Sequence, residues 1–400
     1  MPADPMLFPP PQNGKQASRL IVWWIGFFAF LNVYSMQAVL PLVMDDFQAS
    51  PVQAGLTVGA TILAVALVSP FMGMLSDAFG RKLIICSSML ALTLPTALIP
   101  LVSSLNALIA LRFLQGLAIP GIVVVLIAYI SEEFQANGVA RMTATYVGGT
   151  VMGGFFGRFI TGHAGHLLGW RGAFVTLALL NLLGALLVLW RLPPSRSFVP
   201  NRNFSAGLNT LWRHMHHKRL MAACAVGFCV LFSLVGTFTY VNLHLASAPF
   251  FLSSAGLANV FSVYLVGVLV TPLVGPYIVR LGFLRALLGA LSLSTAGLLL
   301  TLWPALPAVI IGLTVCSTGV FICQSATISA IAQNIEEGRS LATGLYYMSY
   351  YVGGAAGTLV AGLAFEAWGW SGAVFSIALM QALAGAIAVL VWRPSAQGVG

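Results

Sequence analysis

Asp77, Arg81 and Lys82 stand together in the stretch GMLSDAFGRKLI, with Gly73 and Gly80 interleaved. Asp77 can accept charge-assisted hydrogen bonds from Arg81 or from the N-terminus of a helix in another part of the molecule. Gly73 would let two helices approach, and Gly80 permits a tight turn. Together they have the chemistry of an ionic latch. Two further cations, Arg112 in LIALRFLQGLAIPG and Arg158 in YVGGTVMGGFFGRFITG, lie inside apolar stretches, where a charge is costly and marks a functional site by default. A guanidinium offers donors in a bidentate fork, so these two would favour an anionic or strongly hydrogen-bonding solute over a bare cation. The nine acids are Asp4, Asp45, Asp46, Asp77, Glu132, Glu133, Glu336, Glu337 and Glu366, and none falls near the middle of an apolar stretch.

Uncharged polar residues in the same stretches complete a set of cavity candidates. They are Asn32, Tyr34 and Gln37, then Tyr240, Asn242 and His244, then Tyr346, Tyr347, Tyr350 and Tyr351. Other clusters read as structural. His214, His216 and His217 have no cysteine or carboxylate beside them, so no metal site is expected. Glu132–Glu133 and Glu336–Glu337 neighbour Arg141 and Arg339 and read as loop ion pairs, which argues against an integral-membrane enzyme. All five cysteines fall in apolar segments and read as packing residues. There is no phosphate-binding GxxxxGK[ST] loop, so no cofactor is implied and any driving force would be an ion gradient.

With 59% hydrophobic and only 7% charged residues, the chain lacks the polar surface that a water-soluble domain of this size needs. A bilayer crossing takes roughly 20 apolar residues. Such runs occur near 20–43, 52–73, 83–102, 105–130, 141–162 and 170–191, and again near 220–242, 255–278, 285–303, 306–330, 340–362 and 370–392. The expected fold is therefore all-α and membrane-embedded, with twelve spans. The Pro-rich residues 1–19 read as a disordered tail, 20–192 as a first six-helix bundle, 193–218 as a linker, 219–393 as a second bundle and 394–400 as a tail. With both termini inside, all Lys and Arg but Arg112, Arg158 and Arg171 fall in inner segments, as the positive-inside rule requires. The net charge of +9 then reports topology, and no nucleic-acid partner is implied.

The halves repeat. At a spacing of 200 residues, Tyr146, Gly153, Gly154, Gly157, Gly162, Gly169 and Trp170 recur as Tyr346, Gly353, Gly354, Gly357, Gly362, Gly369 and Trp370. Six-helix halves repeated in parallel are a device of secondary transporters, which bind at the midplane and rock one half on the other. Gly149, Gly153 and Gly157 recur every fourth residue and give one helix a smooth face, with Gly154 beside it; Gly353, Gly354 and Gly357 repeat the pattern.

The GMLSDAFGRKLI loop resembles the signature loop of the major facilitator superfamily, and Arg112, Gln115 and Gly116 resemble its fourth-helix motif. The glycine-rich fifth span resembles the motif of its antiporters, with two departures: Gly154 for the usual proline and Arg158 for the last glycine. The chain looks most like the bacterial twelve-helix drug:proton antiporter, or arabinose-efflux-like, branch. That resemblance implies two pseudo-symmetric six-helix bundles in the inner membrane and efflux of a small organic solute by alternating access, as a monomer coupled to protons and linked to drug resistance. A metabolite importer or facilitator is the alternative. Many members of that branch carry a carboxylate in the first span ahead of a Leu-Pro pair. Here Asn32 holds that position ahead of Leu40–Pro41, and Val279 replaces the aspartate in the second copy of the loop.

Overall fold

The computed structural model describes residues 17–134, 136–195, 213–334 and 339–392, and both tails and most of the linker lie outside them. Its helices are α1 (Arg19–Leu31), α2 (Leu40–Phe47), α3 (Pro51–Phe79), α4 (Arg81–Leu98), α5 (Leu105–Glu133), α6 (Ala136–Arg191), α7 (Lys218–Ala246), α8 (Ser254–Val260), α9 (Val263–Leu281), α10 (Phe283–Leu300), α11 (Leu306–Asn334) and α12 (Arg339–Trp392). The first span is α1 and α2, joined through a 3-10 turn at Ser35–Val39 and bent by 44°. The eighth is α8 and α9, interrupted at Phe261–Ser262. α6 covers the expected spans five and six and α12 the expected spans eleven and twelve, so the described helices account for all twelve expected spans.

Local chemistry sets the ends of these elements. Ser18 caps α1, and Ser50 with Gln53 forms a capping box on α3, whose first residue is Pro51. Four antiparallel reversals turn on glycines with positive φ, namely Gly80 (102°), Gly169 (72°), Gly282 (78°) and Gly369 (62°), a region that side-chain-bearing residues avoid. They fall at corresponding places in the two halves. Two expectations need correction. The first span is broken rather than continuous, and two helices run past the expected span ends: α3 continues to Phe79 and α5 to Glu133, each carrying its acids in that extension.

Within each half, span five packs on span one and span eleven on span seven. Between halves, span two meets span eleven and span five meets span eight. The span two–eleven seam has an antiparallel register. A Cβ at Gly55 would collide with Tyr240 and approach Thr358, one at Gly59 would collide with Thr358, and one at Gly354 would lie 3.2 Å from Ile62. Tyr240 donates to the Thr358 carbonyl oxygen, and Glu366 accepts from the backbone N–H of Val52 at 2.9 Å. Carried along both helices, the same register brings Gly73 opposite Gly344. Neither has any described atom within 4 Å of its Cβ position. The two helices are therefore zipped at the Ser50 end and parted at the Gly80 end.

Candidate functional site

Arg112 is fully buried within the first half. Where α1 stops, the carbonyls of Asn32 and Val33 lose their helical partners, and an orphaned carbonyl needs a donor. Arg112 supplies it: Nη1 donates to Asn32 O at 3.0 Å and Nη2 to Val33 O at 2.9 Å. Its Nε donates to Thr57 O at 3.0 Å, and Nη1 also reaches Gln115 Oε1 at 2.6 Å. Gln115 donates to Thr96 Oγ1 at 2.7 Å, while Asn32 and Asn181 exchange reciprocal amide bonds at 2.8 and 2.9 Å. A Cβ at Gly116 would strike the Thr61 backbone, so that motif glycine permits span four to lie against span two. Arg112 and Asn32 were expected in the cavity. The structure places them inside one bundle, bonding the broken helix to its neighbours.

Arg158 is also buried, 4% exposed, but its surroundings differ. Nε donates to Gln37 Oε1 at 2.8 Å and Nη1 to Gly154 O, one turn earlier, at 2.7 Å. Its guanidinium carbon lies 4.5 Å from the ring centre of Tyr34, 4.7 Å from Phe261 and 4.8 Å from Tyr264. Tyr34 and Gln37 belong to the break of span one; Phe261 and Tyr264 belong to the break of span eight, in the other half. Gln37 also donates to Thr239 Oγ1 of span seven at 3.0 Å. Nη2 has no hydrogen-bond partner among the described residues, yet it is not one of the polar atoms sealed from open space. An arginine snorkelling to lipid is therefore excluded; this one sits between the halves.

The loop cluster is ionic, as its composition requires. Arg81 pairs with Asp77 in the preceding turn and with Glu132 through two bonds, Nη2–Oε1 at 2.6 Å and Nε–Oε2 at 3.1 Å, and also contacts Ser76. Lys82 is half-buried. Two readings change. Glu132 joins Arg81 rather than a loop pair with Arg141, and Gly73 faces open space instead of a second helix. At the opposite end Arg171 pairs with Asp46 at 2.6 Å, and Trp170 donates to the same carboxylate at 3.2 Å. Glu336 and Glu337 lie outside the described residues.

The sequence model of the Major Facilitator Superfamily matches residues 22–335. The chain belongs to this superfamily. An uncharacterized transporter of Buchnera aphidicola is 30% identical over 86% of this chain and 84% of its own length. The Inner membrane transport protein YnfM of Escherichia coli is 29% identical over 91% and 88%. Among solved structures, a bacterial homolog of the human lysosomal transporter Spinster, in an inward-facing and unoccupied conformation, superposes with a TM-score of 0.77. It is 16% identical and covers 94% of this chain and 98% of that one. This is thus a multi-pass membrane transporter with the all-α Major Facilitator fold.

The glycine faces of this Major Facilitator protein pack on backbone. A Cβ at Gly149, Gly153 or Gly157 would land on Trp23, Phe27 or Leu31 of α1, and one at Gly353 or Gly357 on Phe228 or Phe232 of α7. Gly154 and Gly354 are exceptions. The first faces the Arg158 guanidinium at 3.7 Å, and the second meets the Leu231 and Ile62 side chains. The remaining cavity candidates divide. Tyr240 seals the zipped end between Gly55 and Gly362, and Asn242 donates to Phe238 O in its own helix at 2.6 Å. Tyr346 and Tyr350 are buried with ring centres 5.7 Å apart, and the Tyr346 hydroxyl has no partner among the described residues. Thr96, Asn181, Thr239, Phe261 and Tyr264 were not singled out from sequence. Asn181 had a signal, since Gln381 stands 200 residues on and occupies the matching core, donating to Ser294 at 2.9 Å.

Proposed function

We propose that the protein is a secondary active transporter that exports a small organic solute across the bacterial inner membrane by alternating access, with residues 20–192 and 219–393 as its two moving bodies. One observation carries this: spans two and eleven keep a single register, zipped from Gly55 to Ile62 and parted by Gly73 and Gly344. A seam of that form is half of a rocking cycle, in which closing one end opens the other. With both termini inside, the zipped end is the outer one, and the structure is inward-facing. The Asp77–Arg81–Glu132 cluster then sits at the open inner end, poised to contact the other half when it closes.

Export follows from the resemblance of the fifth span to the antiporter motif, and the absence of an acid near the middle of any described span favours an anionic or neutral solute. Proton coupling would use Asp77, His163, His244 or the solute itself. Import of a metabolite is the second reading, supported by the Asn32–Asn181 pair that holds the first-span position without a titratable group. Cross-linking of Gly73→Cys with Gly344→Cys tests alternating access, because the five native cysteines are buried. The pair should remain unlinked in the inward-facing state and form a disulfide when the outer end is held open. Absence of the cross-link in every state would refute the rocking seam. Solute movement in inside-out vesicles decides between export and import.

A further inference from the structure

We propose that Arg158, with Tyr34, Gln37, Phe261 and Tyr264, forms a subsite for a planar organic anion of the aromatic carboxylate type. This rests on the transporter reading above and narrows its solute class. The first ground is the balance of donors. A guanidinium has five N–H groups. Gln37 and Gly154 take one each, and the free Nη2 edge still reaches open space.

The second ground is charge. A buried cation without a counter-ion is unfavourable. The carboxylates described in the structure are committed elsewhere or lie at the ends of the molecule: Asp77 and Glu132 on Arg81, Asp46 on Arg171, Glu366 on Val52 and Glu133 on Ser195, with Asp45 exposed on α2. An anionic ligand supplies what the protein withholds.

Shape defines the class of that anion. Tyr34, Phe261 and Tyr264 surround the guanidinium with π faces, which leaves a carboxylate its in-plane edge and gives the rest of the ligand an aromatic wall. The location is independent support. Transporters form their solute sites at interrupted helices near the interface of the repeats, and here the breaks of spans one and eight both deliver rings to the same arginine. Because the two sets of rings come from opposite halves, opening the outer end must dismantle the subsite. Ligand affinity is thereby tied to conformation.

Isothermal titration of the full chain in lipid nanodiscs with benzoate, benzamide, benzylammonium and inorganic phosphate tests this without requiring transport. Benzoate should bind at least about tenfold more tightly than the other three. Arg158→Gln should remove that preference while leaving benzamide unchanged. Arg158→Lys should recover only part of it, since an ammonium lacks the fork. The melting temperature of Arg158→Gln should not fall, so that lost binding is not lost folding. The subsite is overturned if benzylammonium or phosphate binds as tightly as benzoate, if benzoate does not bind, or if Arg158→Gln keeps its benzoate affinity. A cross-link between positions 73 and 344 that persists through such a failure would leave the transporter standing and remove only the subsite.

Discussion

Arg112 and Arg158 are two buried arginines in one six-helix half, and their bonding is opposite. Arg112 meets three backbone carbonyls and an amide oxygen, all contributed by its own bundle. Arg158 meets two oxygens and three rings, and two of those rings belong to the other bundle. The first is a construction element, because its charge is spread over the dipoles of a broken helix end. The second keeps donors in reserve at the seam between the two bundles. The second half sharpens the contrast. At the position matching Arg158 it has Thr358, whose carbonyl accepts from Tyr240 in the zipped seam, and its core polar cluster of Gln381, Ser294 and Thr295 is uncharged. Among the described residues the two arginines buried inside spans, Arg112 and Arg158, both lie in the first half, while the second supplies rings and hydroxyls.

The comparison breaks most readily on stability. Arg112→Gln should destabilise the protein by about 3 kcal/mol or more, because several buried carbonyls lose their donors at about 1–3 kcal/mol each. Arg158→Gln should leave stability unchanged or raised. Thermal or denaturant unfolding of both variants in the same detergent measures the difference, and equal losses would show that the two arginines do the same job.

Packing is the next test. Gly153→Leu, Gly157→Leu and Gly353→Leu should each abolish most of the folded yield, since bulk there collides with backbone that cannot move aside. Gly154→Ala should shift stability by no more than about 0.5 kcal/mol, because its added methyl meets only the end of a long side chain. Size-exclusion recovery would separate the two classes.

At the loop cluster, Asp77→Asn should cut transport about tenfold, near 1.4 kcal/mol at a step that requires inner closure. Folding should survive, because Arg81 keeps both bonds to Glu132. Val279→Asp should not rescue it, as Phe283 stands where that copy would need its arginine. Transport and melting temperature measured on the same preparations check this pair. The smallest effect is expected at Glu366. Its bond to Val52 is exposed, so Glu366→Gln should favour outer opening by only about twofold to threefold. Spin-label distances across spans two and eleven would report that shift.

The sequence alone determined that the chain crosses a membrane many times, that it is built from two like halves, and that a short ionic loop follows the second span. These depend on composition, periodicity and the spacing of glycines, which are properties of the chain in one dimension. Gly169 and Gly369 could be matched before any coordinates because each reversal needs the same backbone conformation. The roles of the charges were a different matter. Arg112 and Arg158 look alike in sequence, since both are lone cations in apolar surroundings. What separates them is which acceptors lie within 3 Å, and some of these are remote in the chain: Val33 is 79 positions from Arg112, and Gln37 is 121 positions from Arg158. Glu132 reached Arg81 across 51 positions in the same manner. Gly73 carried the signature of a close helix contact, but the neighbour it would meet is parted from it in this conformation. Tertiary structure alone decided these assignments, because hydrogen bonding and ion pairing act over a few ångströms in space and leave no period in the chain.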